Sequence, residues 1–480
     1  MRRCVQTRSS ATNCSKTRVS RRSHRKAFPE NDCEAPGILD KLLAVLNRPK
    51  CRLVASQALC SITHHGGIGV RTEIAKKSNV LIKILEEQTD SPKLTQLLVA
   101  TLSHSVLAVV CEEEPDRKIM KLMDVQGLVR ALVQQLRKPD VSSGIRDHAI
   151  SFLCGAAQNC SEAFFNYPTA INLFVACARS KSFQLRAMAA LGVMKLHFTE
   201  NEEEDIVLDP KKLLVAFQRR MPDHLTNAVR SRGTLGEMFL TLKAIHDHQK
   251  AMLRVLEDND LYQLGRTIAE LILVTEFSIP SGAFEMVDSR TGKRVNDSTG
   301  LPFQQWDDAL PYCAEAIRKK GVKGEEDMAD IIELKYLVKM RRMDEAHILA
   351  KKAIERNPRV GFYYYVLSIG ATEAIGLRWA KKGLKCPKLT NYVRYALLYR
   401  AAEHAAILGF RVLCEAQESD AKFDEGVAFI MSALEDSKTF IDNAPPDTRN
   451  MKSVIYVYTL AYFVAKGHEL TPDLNDLSVS

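Results

Sequence analysis

The chain has 480 residues, 46% of them hydrophobic and 26% charged, a globular composition too long for one ordinary core and sufficient for two or three domains or a repeat array. No apolar run reaches the about 18 residues that a membrane helix needs; the longest, LVATLSHSVLAVV at 98–110, is short and carries Ser and His, so no membrane partner is expected. The net charge of +9 is concentrated at one end: residues 1–29 hold nine Arg and Lys and no acid, and the rest of the chain carries 58 bases against 58 acids.

The basic end, MRRCVQTRSSATNCSKTRVSRRSHRKAF, is rich in Arg and Ser and poor in large apolar residues, so it cannot bury enough surface to fold alone. Residues 1–35 are therefore read as a disordered basic tail. Its RRSHRK cluster, with Arg21, Arg22, Arg25 and Lys26, is the segment suited to nucleic-acid phosphates or to nuclear import, and the same acid-free composition also fits a transit peptide. The expected location is cytoplasmic or nuclear, with the mitochondrion as a third address.

Four stretches then repeat one grammar. GILDKLLAVLNRPKCRLVASQALCSITHH starts at 37, NVLIKILEEQTDSPKLTQLLVATLSHSV at 79, GLVRALVQQLRKPDVSSGIRDHAISFLCGAAQN at 127 and AINLFVACARSKSFQLRAMAALGVMKLHF at 170, with intervals of 42, 48 and 43 residues. Each holds an apolar helix of the L-x-x-L-L type, a polar break with Pro, Asp or Ser, and a second helix rich in Ala and Leu. The period and the two-helix unit resemble armadillo or HEAT repeats, in which stacking buries the apolar face that one unit leaves exposed. NEEED at 201–205 reads as a solvated acidic loop closing the array, and the helical pattern of 211–277 as a further pair extending it.

The two cysteines and two histidines between Cys51 and His65 raise the question of a metal site. Cys51 and Cys60 are nine apart and His64 and His65 adjacent, which is not the paired spacing of zinc ligands. Overlaying Leu59-Cys60 on Leu153-Cys154 places the histidines opposite Gln158 and Asn159, which are poor ligands. Cys60 is thus expected in the packing layer, and His64 and His65 at a helix C-terminus that leaves through a left-handed Gly66-Gly67 exit. His246 and His248, two apart on a helix, face away from each other and read as surface residues.

IPSGAFEMVDSRTGKRVNDSTGLP at 279–302 concentrates Pro, Gly, Ser, Asp and Asn and loses periodicity, which predicts turns, a small hairpin around RTGK and a domain boundary. Helices resume beyond it. MDEAHILAKKAIERNP places Ala346, Ala353 and Pro358 at the spacing of a tetratricopeptide (TPR) second helix, where small residues let two helices touch and proline ends the unit. The preceding helix lacks the full TPR signature and the next unit misses the Ala spacing, so the match is to degenerate TPR-like helices. Tyr363, Tyr364 and Tyr365, which either grip a partner or pack between repeat helices, and the basic stripe containing Lys381 and Lys382, are the candidate interaction residues of this half.

LPFQQWDDALPYCAEAIRKKG (301–321), AIERNPRVGFYYYV (353–366), GLRWAKKGLKCPKLTNYVRYALLYRAAEHAAILGF (376–410) and EGVAFIMSALEDSKTFIDNAPPDTRNMKSVIYVY (425–458) resemble the C-terminal half of a group of fungal, chiefly basidiomycete, proteins. Those combine an armadillo-like region, TPR-like helices and usually a MYND-type zinc finger, and the resemblance covers most of residues 37–466. The chain departs from them in one respect: no cysteine follows Cys414, so the ligand pairs of such a finger are absent there and its partner recognition is not implied.

The twelve cysteines are scattered singly with no C-x-x-C and no secretory segment, which favours free thiols in a reducing compartment. No phosphate-cradling, dinucleotide-binding, zincin or nucleophile-elbow motif occurs. The sequence thus predicts an all-α protein, a right-handed α-solenoid (armadillo/HEAT-like) at 36–278, a linker at 279–311, TPR-like helical repeats at 312–470 and a short disordered tail at 471–480. The function expected of it is a non-catalytic scaffold for other proteins with no cofactor and no metal; the alternative is a nucleic-acid-associated or transcriptional regulator acting through the tail.

Overall fold

A computed structural model describes residues 35–87, 91–112, 115–197, 223, 227, 233–284, 286–287, 294–295, 300–416 and 420–469. Two compact units account for them: residues 35–197, 413–416 and 463–469 in one, and residues 233–412 and 420–462 in the other. Both are all-α and built from helices that pack on their neighbours in sequence. The acidic NEEED loop and both expected tails lie outside the described residues.

In the first unit the four predicted repeats are helix pairs: α1 (Ala35–Leu46) with α2 (Arg52–His65), α4 (Ser78–Glu87) with α5 (Pro92–Val110), α7 (Val125–Leu136) with α8 (Ser143–Ala156), and α10 (Pro168–Cys177) with α11 (Phe183–Leu196). Short helices α3 (Ile68–Lys76), α6 (Arg117–Met120) and α9 (Ser161–Phe165) fill the connections. Capping side chains and prolines begin five of these helices. Asp124, Ser142 and Ser182 accept hydrogen bonds from the amides of Gly127, Ile145 and Leu185, and Pro92 and Pro168 occupy first-turn positions where no amide is needed.

The second helices stack side by side, α2 on α5, α5 on α8 and α8 on α11. Helix α5 is the centre of this unit, touching α2, α3, α4 and α8 and burying Leu94, Leu98, Val99, Leu102, Val106 and Val109. Each such side chain contributes on the order of 1.5–3 kcal/mol. At 19 residues α5 is also, among the described residues, the one helix long and apolar enough to cross a membrane, and 67% of that stretch is buried against its neighbours. Its buried Thr95, Thr101, Ser103 and Ser105 belong to a protein core, with Ser105 donating to the Thr101 carbonyl at 2.7 Å and Ser103 to His148 O at 3.2 Å.

The exit of α2 corrects one expectation. Gly66 and Gly67 are not left-handed; their φ angles are −79° and −70°. Glycine is needed at 66 because of crowding: a Cβ there would sit 2.6 Å from the Ile62 carbonyl oxygen and 3.2 Å from the Val70 side chain. Cys60 does lie in the packing layer, its thiol pushed up by burial and hydrogen-bonded to Thr101.

The second unit runs α12 (Glu237–Asp258), α13 (Leu261–Ile272), α14 (Ala309–Lys320), α15 (Glu326–Lys339), α16 (Met343–Arg356), α17 (Gly361–Ser368) and α18 (Glu373–Gly383). Beyond these come α19 (Asn391–Glu415), α20 (Ala421–Asn443) and α21 (Met451–Lys466). Helix α15 touches both α13 and α17, and the helix between each of these pairs touches both its members, which is the packing of stacked pairs. Ala346, Ala350 and Ala353 are buried along α16, so the small residues of the TPR-like unit are where the helices meet. Gly265 on α13 lies tight against α14: a Cβ there would lie 3.1 Å from the Cys313 carbonyl oxygen and 3.0 Å from Ile317 Cδ1. Gly265→Ala is expected to cost about 1–2 kcal/mol by overpacking, read as a lowered urea midpoint with unchanged m-value.

The structure draws the division between units elsewhere than the sequence does. Helices α12 and α13, expected to extend the first array, share one core with α14–α17, in which Met252, Val255, Leu264 and Ile268 pack with Leu310, Ala314, Ile332 and Val366. The turn-rich linker at 279–311 does not separate them. Its backbone is tied across by Phe284 N to Gln304 O at 3.1 Å and Trp306 N to Gly282 O at 2.8 Å, and Phe284, Phe303 and Trp306 form an aromatic cluster over α12 and α14. The small hairpin is present as paired Met286–Val287 and Arg294–Val295, antiparallel with Met286 opposite Val295; its RTGK tip lies outside the described residues.

Candidate interaction surfaces

Of the residues singled out from sequence, Arg21, Arg22, Arg25 and Lys26 lie outside the described residues. Tyr363, Tyr364 and Tyr365 turn into the second unit and are buried along α17. Tyr363 donates its hydroxyl to Asp327 Oδ1 at 2.9 Å and Tyr364 to the Pro358 carbonyl at 3.0 Å, while Tyr365 meets Tyr392 edge-on at 5.9 Å. Burial beside these groups pushes the phenol of Tyr365 up to about 12 and raises that of Tyr363 further. These three tyrosines are packing and hydrogen-bonding groups of the array, and a partner on its surface would not reach them.

The basic stripe on α18 divides in two. Lys381 holds Asp436 on α20, its ammonium 2.6 Å from Oδ2 and 2.7 Å from Oδ1 of a carboxylate that is only 6% exposed. Lys382 is exposed and sits 4.9 Å over the Trp379 ring. The first is a structural ion pair and the second an available cation with an aromatic platform. Beside them, Asp330, 4% exposed, is shared between Arg318 at 2.8 Å and Arg356 at 2.8 Å, which fastens α14, α15 and α16 together.

Two groupings escaped the sequence reading. In the first unit, His64 on α2, His104 on α5 and His148 on α8 form a column. The His64 and His104 ring centroids are 4.4 Å apart, edge to face, and those of His104 and His148 are 5.0 Å apart. His64 is exposed and the other two are half-buried. Burial, then His64, His148 and Arg71, lower the middle imidazole to about 4, and His64 is lowered by burial and by His148, His65 and Arg71. The signal was in the sequence as a histidine in each of three successive second helices, at intervals of 40 and 44 residues, close to the repeat period. Overlaying the repeats on their Leu-Cys pairs concealed it.

In the second unit a polar cluster gathers from helices that are far apart in sequence. Asp447 caps α12, accepting from the amides of Glu237 at 3.1 Å and Met238 at 2.9 Å. Arg449 lies 2.9 Å from Glu276 and over the Phe277 ring, and Lys335 of α15 donates to the Glu276 carbonyl at 2.8 Å. Burial raises Glu237 to about 7, with Glu276 and Asp447 adding to the rise and Thr448 and Arg449 opposing it. A carboxyl whose folded value is raised adds stability below its unfolded value and loses it as pH climbs through about 7. Glu237→Gln is therefore expected to remove a loss of about 1–2 kcal/mol between pH 5 and 8, discounted for partial exposure, measured as the difference in urea stability at the two ends.

His248 is a further correction. It is fully buried, edge-on to Trp306 at 5.6 Å, where a surface residue was expected; His246 is exposed. The reason is the linker, whose Trp306 returns across α12 and covers that face.

A shallow cleft on α12 and α13 is lined by Asp247, Lys250, Arg254, Asp258, Asp260 and Gln263; Lys243 engages Asp247 at 3.0 Å, Arg254 engages Asp258 at 2.9 Å, and Asp260 accepts from the Gln263 amide at 2.9 Å. Among the described residues no group of three or more His, Cys, Asp or Glu is placed to hold a metal ion; in the histidine column the rings stand side by side, with His104 between the other two.

No family model matches the chain, and no curated protein does. Among solved structures, it overlaps a crystal structure of an engineered protein at 13% identity and a TM-score of 0.28, covering 90% of this chain and 98% of that one. It overlaps a Kap121p mutant at 14% identity and a TM-score of 0.29, covering 91% of this chain and 45% of that one. Overlaps at that level assign neither a family nor a function.

Proposed function

We propose that the protein is a non-catalytic helical-repeat scaffold that binds other proteins along the exposed sides of its stacked helices. The observation that carries this reading is the stack itself: α2, α5, α8 and α11 lie side by side and present a row of equivalent positions, as the histidine column displays. Surfaces of this kind bind through extended area and a few anchors. An affinity pull-down from native extract with the full-length chain tests it, and the expected result is stoichiometric recovery of one or more proteins. Recovery of none, with a small molecule bound and turned over, would overturn it.

The second reading, a nucleic-acid-associated regulator, is favoured by the nine bases of residues 1–29. Phosphate binding would weaken steeply with salt and disappear on deleting the tail. If full-length and tail-deleted chains bound DNA and RNA equally poorly at low salt, this reading would fall. Membership of the fungal MYND-containing group, without its finger, belongs to the same proposal, as does a cytoplasmic or nuclear location. Imaging the chain with and without residues 1–35 separates nuclear, mitochondrial and cytosolic addresses.

A further inference from the structure

We propose that the exposed side of the His64–His104–His148 column is a docking site for an acidic segment of a partner protein, taken up together with protons. The inference rests on the scaffold reading and adds to it the chemistry of one contact surface.

Three imidazoles from three successive repeats are held in ring contact, at 4.4 and 5.0 Å. The His148 Nδ1–H donates to the Gly144 carbonyl at 2.7 Å, which fixes the tautomer and leaves the Nε2 lone pair to accept a proton. Charge complementarity names the occupant. The groups that bear most on His64 and His104 are positive or become so: His65 on α2, Arg71 on α3 and the other column members. Arg71 is anchored by donating its Nε–H to the Thr63 carbonyl at 2.8 Å, which holds the guanidinium beside the column. Helices α2 and α5 contain no acid. Glu73 on α3 is engaged by Lys76 at 2.6 Å, and Asp147 on α8 by Arg146 at 3.4 Å.

Among the described residues the column therefore has no carboxylate of its own to balance a proton. Protonating neighbouring rings at this distance sets like charges against one another. An incoming row of carboxylates supplies the missing counter-charge, so that proton uptake and docking reinforce each other. Each proton taken up on binding adds up to about tenfold in affinity per pH unit.

The test uses the full-length chain and rhodamine-labelled octaglutamate, with fluorescence anisotropy at about pH 7.5 and about pH 5.5 in physiological salt. The expected result is an affinity gain of about tenfold or more at the lower pH, abolished in His64→Gln/His104→Gln/His148→Gln. The basic tail carries His24, which also gains charge at the lower pH; its share of the gain is common to wild type and both variants and is subtracted, so the gain assigned to the column is the remainder. Because the triple variant removes half-buried rings, exposed His64→Gln alone is measured as well, and it is expected to cut the gain about threefold or more. A gain of equal size in wild type and in both variants, or no gain in wild type, overturns the proposal. So does a single-stranded oligonucleotide of equal charge that binds more tightly with the same pH dependence, since the column would then read phosphate. Failure here, with protein partners still recovered in the pull-down, sinks the column and leaves the scaffold; recovery of no partner sinks the scaffold itself.

Discussion

Replacing Arg186 with alanine is expected to lower the unfolding free energy of the first unit by about 3–5 kcal/mol. The side chain on α11 is 2% exposed and satisfies three backbone carbonyls. Its Nε–H donates to Val464 O at 2.7 Å, and its NH1 donates to Ser180 O at 2.7 Å and Lys181 O at 3.0 Å. The guanidinium also lies 4.9 Å over the Phe183 ring. Truncation leaves these buried acceptors without their charged donor, and each such loss costs on the order of 1.5–3 kcal/mol, not fully additive. Arg186→Lys is expected to recover less than half of the loss, because an ammonium cannot reproduce the planar fork that reaches both the α10–α11 turn and the end of α21. Urea unfolding followed by circular dichroism gives the size. Hydrogen exchange at residues 463–469, which should rise first in the alanine variant, gives the location. A change below about 1 kcal/mol would mean that the guanidinium fork does not stabilise the unit.

Acid is expected to destabilise the second unit through His248, by on the order of 3 kcal/mol between neutral pH and pH 4. Burial lowers this imidazole from 6.5 to about 4, Lys339 lowers it further and Asp307 opposes the shift. Between those values the unfolded chain takes up a proton that the folded chain refuses, so stability is present above 6.5 and is lost as pH falls toward 4. Glu237, raised to about 7, has the opposite slope over much of the same window and partly masks the loss in the wild type. The measurement is therefore the difference between wild type and His248→Leu in urea midpoints from pH 7 to pH 4. The variant should lose its acid limb while keeping stability at pH 7, because among the described residues neither ring nitrogen has a hydrogen-bond partner to forfeit. Parallel pH profiles for the two proteins would show that His248 titrates freely and that its burial does not govern acid unfolding.

The repeat grammar was legible because it is local: the apolar helix, the polar break and the second helix of each unit are readable from neighbouring residues, and the structure puts a helix pair on each unit. The tight Ala346–Ala353 face was readable for the same reason. What stayed hidden required knowing who touches whom. Tyr363, Tyr364 and Tyr365 form an aromatic run that reads equally as a surface grip or a core, and only the closure of α15, α18 and α19 around α17 decides for the core. Turn-forming residues at 279–302 speak to chain direction and not to domain membership; Trp306 and Phe303 fold the segment back onto its neighbours. His248 was misplaced by that same return. The histidine column is a third case, since its members lie 40 and 44 residues apart and share a surface only after stacking.

The long apolar helix at the centre of the first unit has a consequence for synthesis. Helix α5 meets α2, α3 and α4 as soon as it leaves the ribosome, but α8, which covers its remaining side, is complete only at Ala156, 46 residues after Val110. At translation rates of about 5–20 residues per second, that interval lasts roughly 2–9 s. For that time every nascent chain displays one side of this apolar helix before α8 is there to cover it.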